Sequence, residues 1–162
     1  MARTTSASAA CRSLTRIEAM RGMLEAMVRG EVPPPPVARL VGMRLAEIGD
    51  GEARFELEAD PERHANPMGT LHGGILCDVV DAAMGCAYAS RLGEGETFTT
   101  LELKINFLKP VWSGLLTANA RLVRGGRTVG LVECDVLDAE GSLVARASST
   151  CMTLRGELAA GR

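Results

Sequence analysis

The run from Gly74 to Ala89 constrains this chain most. Ile75, Leu76, Val79, Val80, Ala82, Ala83, Met84, Cys86 and Ala87 leave it almost no polar side. A helix apolar nearly all round must be wrapped by something else, so the rest of the fold has to supply a cover. Only Asp78, Asp81 and the Tyr88 hydroxyl interrupt the run. The two aspartates stand at i and i+3 and share a face. A carboxylate taken out of water must be paired, protonated or lining a cavity. Asp78 reads as the structural member of the pair and Asp81 as the functional one.

Alternating segments around this helix are the candidate cover. "GMRLAEIGDGEARFELEAD" reads as a hairpin turning at Gly49-Asp50-Gly51, with Ala53, Phe55, Leu57 and Ala59 on one face. "TLELKINFL" alternates again through Leu101, Leu103, Ile105 and Phe107, and Pro110 ends it. From Gly114 to Leu154 three more strands are expected, turning at Gly125-Gly126 and at Asp138 to Gly141. Hairpins around a single helix predict an α+β fold, one antiparallel sheet wrapped on that helix. Ahead of it, residues 14–29 place Leu14, Ile17, Met20, Leu24, Met27 and Val28 at helical spacing. Met20, Met23 and Met27 read as packing residues, with the lining of an acyl pocket as their other possible use. "GEVPPPP" stops this helix and favours an extended spacer. The expected division is a disordered tail over 1–13, a helix and proline-rich linker over 14–36, the main domain over 37–155 and a tail over 156–162.

Composition removes several functions. A net charge of −2 and only three Phe, one Trp and one Tyr offer nucleic acid neither attraction nor stacking. No apolar run is long enough for a membrane span. Five cysteines without a C-x-x-C pair argue against a disulfide framework or zinc site and for a reducing, cytoplasmic setting. No metal or cofactor is expected. A zinc site at His64 and His72 lacks a ligand set. Cys77 and Cys86, on an apolar helix, read as small hydrophobes rather than nucleophiles.

The start of the long helix carries His72-Gly73-Gly74, where the first-turn N–H groups have no intrahelical acceptor and the dipole is positive. Glycine leaves such groups open to a substrate oxygen, the geometry of an oxyanion hole. His72 and Asp81 are nine residues apart, about 13–14 Å along a helix. The acid therefore cannot act on a group held at its own helix's mouth. It can if a second copy of the helix runs antiparallel beside the first. If both features are catalytic, the spacing predicts a dimer with shared sites.

"NPMGTLHGGILCDVVDAAMGCA" resembles the hotdog-fold acyl-CoA thioesterases of the phenylacetate-degradation and human thioesterase-superfamily-member-2 branch. Their pattern of Asn, five residues, His-Gly-Gly and an acid nine after the histidine is met by Asn66, His72, Gly73, Gly74 and Asp81. The likeness spans about residues 37–155, including "LELKINFLKPV" and "RGGRTV". It implies a hotdog fold and hydrolysis of an acyl- or aryl-CoA thioester, with coenzyme A as part of the substrate. Asp81 is implied as general base or nucleophile, Gly73 N–H as carbonyl-polarising donor, and Asn66 and His72 as positioning groups, with Gly74 beside the substrate. A hydroxyl from the following strand, Thr99 or Thr100, is implied as well. A homodimer or dimer of dimers is implied, with Asp81 and the Asn66/Gly73 set on opposite chains. For the coenzyme phosphates the candidates are Lys109, Arg124 and Arg127, with Arg121 nearby; guanidinium groups suit phosphate. A hydratase is disfavoured because His72 lies at the helix mouth. The rival reading is a non-catalytic acyl-CoA-binding or sensing protein of the same fold, which has no use for an unpaired acid at 81.

Overall fold

The computed structural model describes residues 16–160, with side chains from Met20 onward. The expected 1–13 tail, Leu14 and the last two residues lie outside these described residues. In chain order the elements are α1 (Arg16–Val28), α2 (Pro36–Val41), β1 (Met43–Ile48), β2 (Glu52–Ala59), α3 (Pro61–His64), α4 (Gly73–Ala89), β3 (Thr97–Phe107), β4 (Gly114–Gly125), β5 (Val129–Leu137) and β6 (Leu143–Leu154). The six strands form one antiparallel sheet in the order β1-β2-β4-β5-β6-β3. Helix α4 carries the chain from β2, near one edge, to β3 at the other, and the sheet wraps it. This is the hotdog arrangement.

Alternation builds the inner face. Phe55 lies opposite Ala118 and Leu57 opposite Leu116, while Cys134 faces Ala147 and Val136 faces Ala145; all eight are buried. Each large apolar side chain removed from water is worth about 1.5–3 kcal/mol, and the alanines between them let α4 approach closely. Two contacts fix the far end of the helix. The Tyr88 hydroxyl and Thr153 Oγ1 lie 2.7 Å apart, and Tyr88 packs over Gly130, where an added Cβ would sit 2.5 Å from Tyr88 Cε2. Ser90 Oγ accepts from Gly51 N and donates to Ala87 O, both at 2.8 Å, which ties the β1–β2 turn to the helix C-terminus.

Three expectations change. The helix is not covered all round: Gly74, Asp78 and Asp81 form an exposed stripe. One curved sheet reaches only part of a helix circumference, so the acids lie on the side the sheet leaves open. The regular alternation of β3 breaks at a bulge between Thr100 and Glu102. Leu101 and Phe107 are 53% and 54% exposed, while Leu103 and Ile105 are half-buried; β3 is an edge strand and overhangs the helix. Finally, the proline run is not extended throughout, because Pro36 is the first residue of α2. Proline suits that position, since the first-turn N–H would be unpaired anyway. Gly42, at φ 83°, closes α2 by donating to Ala38 O. Leu24 of α1 belongs to the core, with Met20, Met27 and Val28 packed against it. Gly156–Ala159 forms a short 3₁₀ turn that buries Ala159.

Candidate active site

The mouth of α4 is held by the residue that precedes it. His72 is the N-cap, and its Nδ1 accepts from Gly74 N at 3.0 Å. That bond leaves the ring proton on Nε2. His72 N donates to His64 O and Leu71 N to Val111 O, so the entering chain is fixed on both sides. His64 itself is buried, its Nδ1 accepting from Asp60 N at 3.1 Å. The two glycines have separate reasons. A Cβ at Gly74 would lie 2.9 Å from His72 Nδ1, so Gly74 makes room for the cap. Its N–H, expected to face substrate, is taken by the imidazole. Gly73 N–H forms no hydrogen bond among the described residues. A Cβ at Gly73 would lie 2.9 Å from Phe107 Cζ, so the phenyl ring rests against the bare backbone there.

Gly73 opens on a cleft of about 420 Å³ that Asn66, Leu76, Phe107 and Lys109 also line. Asn66 organises the approach. Its Oδ1 accepts from Met68 N at 2.9 Å and Thr70 N at 3.3 Å, and its Nδ2 donates to Thr70 Oγ1 at 2.9 Å. One amide hydrogen of Asn66 is left over from this set. Lys109 is bonded to Asp138, which holds the lysine above its ordinary pKa and the carboxyl below its own.

Asp81 stands apart from this group. Eight residues separate it from Gly73, about 12 Å along the axis. Its carboxylate is exposed, and its side-chain partner among the described residues is Thr100, whose Oγ1 donates to Oδ1 at 3.1 Å. Thr100 pairs with buried Cys151 on the helix-facing side. Thr99, one residue earlier, faces the other way. One chain thus gathers Asn66, His72, Gly73 and Lys109 at one end of α4, and Asp81 with Thr100 further along.

A thioesterase superfamily model matches residues 68–145. A protein of Saccharolobus solfataricus, provisionally named an esterase, is 32% identical over 124 residues, covering 76% of this chain and 87% of its own. The chain belongs to the thioesterase superfamily. A medium/long-chain acyl-CoA thioesterase of Escherichia coli is 26% identical over 131 residues, covering 72% of this chain and 84% of its own. The crystal structure of a provisionally named thioesterase from Ralstonia eutropha JMP134, described as phenylacetic acid degradation-related, is 34% identical. It superposes with a TM-score of 0.71, covering 80% of this chain and 98% of that one. The protein is a thioester hydrolase with a hotdog fold.

Within this thioesterase the basic candidates do not form one cluster. Lys109 lies at the Gly73 cleft. Arg124 borders a shallow depression on the outer sheet face with Val129, Leu131 and Thr150, and Arg127 is exposed in the adjoining turn. Arg121 is paired with Glu133 at 2.6 Å. Along β3 seven residues separate Thr100 from Phe107, roughly 20 Å at the ordinary strand rise, and Lys109 lies beyond the end of that strand. Cysteine chemistry finds no support, since burial and then the Asp81 charge push the Cys86 thiol up to about 12. Among the described residues no three His, Cys, Asp or Glu side chains could hold a metal ion. No described helix is long and apolar enough to cross a membrane. The sequence reading missed two roles. Histidine is not among the favoured N-cap residues, and Phe107 read only as one more inward strand residue.

Proposed function

We propose that the protein hydrolyses acyl- or aryl-CoA thioesters to the free acid and coenzyme A, with each site shared between two protomers. Asp81 activates the attacking water, Gly73 N–H of the second protomer polarises the thioester carbonyl, and Asn66 positions the water or thioester. His72 holds Gly73 and Gly74 in place through the cap. Thr100 orients the Asp81 carboxylate. Lys109, Arg124 and Arg127 are the candidate contacts for coenzyme phosphates. The observation that carries this reading is the exposed Asp81, bonded to a threonine hydroxyl and forming no ion pair among the described residues. A carboxylate kept clear of cations and held by a hydroxyl is free to take a proton from water, as a base must.

One further observation and one consequence of the spacing support shared sites. The α4 stripe and the neighbouring β3 edge leave Leu101, Phe107 and Leu108 more than half exposed, an apolar surface that a twofold dimer would cover. Two antiparallel α4 helices also bring the 12 Å offset into register, so that each Asp81 meets the other chain's Gly73. The reducing, cytoplasmic setting is proposed on the cysteine pattern, five residues without a C-x-x-C pair.

Thiol release from a panel of acyl- and aryl-CoAs tests the activity, and binding without turnover would favour the sensing alternative. Hybrid dimers test the sharing. Each Asp81→Ala/Gly73→Val heterodimer rebuilds one intact site of two, so purified heterodimers regain up to about half the activity and an equal, randomly reassorted mixture about a quarter. Purified heterodimers that stay inactive would place the site within one chain.

A further inference from the structure

A second cavity, against α4, is one that the carbonyl chemistry does not use. Ala82 and Cys86 form one wall, Phe55 of β2 another, and Leu24 and Met27 of α1 with the strap Pro33–Pro35 close it over, leaving about 390 Å³. This size is ordinary for a ligand site. Arg44 is the charged residue of the lining among those described, and its guanidinium is bonded to Glu56.

The strap is unusual as a wall. A peptide running past an apolar space normally offers it an N–H at each residue, but three consecutive prolines offer none. The Pro34 carbonyl is occupied by Arg39 Nη1 at 2.5 Å. Most of the lining is apolar, with Arg44 and the sulfur-bearing Met27 and Cys86 among it. The cavity shares its helix with the reaction centre, since Ala82 follows Asp81 in α4 and Cys86 stands about one turn further on. The α1 helix and the strap precede residue 68, where the superfamily match begins, so this closure is a property of this chain rather than of the matched segment.

We propose that this compartment receives the unbranched apolar acyl chain of the thioester, and that Met27 and the proline strap set the chain length it accepts. The inference rests on Asp81 as the reaction centre. Chain selectivity follows from burial: each methylene that enters gains about 0.8 kcal/mol, roughly fourfold in kcat/KM. The gain stops when the compartment is full.

The test is a series of saturated acyl-CoAs from acetyl to palmitoyl, run on wild type, Met27→Trp and Met27→Ala. Wild-type kcat/KM should climb about fourfold per methylene to a plateau. Met27→Trp should move the plateau to shorter chains and Met27→Ala to longer ones, with acetyl-CoA turnover changed less than about twofold in either, since neither touches the reacting group. If Met27→Trp does not fold, Met27→Ala carries the comparison. A flat series in an active enzyme, or a plateau unmoved in both variants, overturns the compartment. Calorimetric titration with free dodecanoate separates this failure from failure of the proposed reaction. Dodecanoate binding that weakens at least tenfold in Met27→Trp upholds the compartment even if no thioester turns over. No binding, or binding indifferent to Met27, places the chain elsewhere and overturns it.

Discussion

Asp81→Asn isolates the carboxylate's chemistry from its structural role. The exposed side chain has Thr100 as its hydrogen-bond partner among the described residues, and an amide oxygen can still accept the 3.1 Å bond from Thr100 Oγ1. Stability should therefore stay within about 0.5 kcal/mol of wild type. Turnover should not: a positioned base contributes about 10²–10⁴-fold, or about 2.7–5.4 kcal/mol. Thr100→Val supplies the second edge of a cycle. In wild type it removes a hydrogen bond to an ion, worth about 1.5–3 kcal/mol and hence tenfold or more in kcat/KM. In the Asp81→Asn background it removes a neutral bond worth about 0.5–1.5 kcal/mol. The two substitutions should fall short of additivity by about 1 kcal/mol. The assay is thiol release from one good acyl-CoA across all four proteins, with thermal melts confirming that each is folded. Asp81→Asn activity within tenfold of wild type would remove Asp81 from the reaction. Full additivity would remove Thr100 as its orienting partner.

Gly130→Ala should destabilise by about 1–3 kcal/mol, because the new Cβ would fall 2.5 Å from Tyr88 Cε2 and 3.1 Å from Arg124 O; urea melts measure the loss. The Cys86 and Cys134 thiols, pushed from 9.0 to about 12 mainly by burial, should stay unmodified by iodoacetamide at pH 8 in the folded protein, as peptide mapping would show. An acid raised in the folded state contributes stability that is complete below its unfolded pKa, so their share should fade as pH climbs from about 9 through 12. Cys134→Ala should lessen that alkaline loss in pH-dependent urea melts.

The long apolar run and the hairpin turns made the architecture legible, because a helix greasy on nearly every side needs a sheet around it. The Asn66, His72, Gly73 and Asp81 spacing made the candidate site legible as two groups separated along α4. Other features depend on what a single sequence does not display. The exposure of Asp78 and Asp81 follows from how far a curved sheet reaches round a helix. The occupation of Gly74 N–H by His72 follows from an unusual cap. The helix at Pro61–His64 did carry a signal that went unread: Asp60 caps it, accepting from Glu62 N, with a proline in the first turn. The choice between Thr99 and Thr100 turned on strand phase, which spacing alone left open by one residue.

That phase has a consequence for how β3 can vary. Before the bulge Thr100 lies opposite Cys151; beyond it Leu103, Ile105 and Phe107 lie opposite Ser149, Ala147 and Ala145, again on the inward side. Strict alternation from Thr100 would have turned Glu102, Lys104 and Asn106 inward instead. The single surplus residue, Leu101, thus lets one strand place a hydroxyl beside Asp81 and still keep hydrocarbon under the helix mouth. Deleting it would force a choice between the two, so a shortened strand could keep its packing or its threonine, but not both.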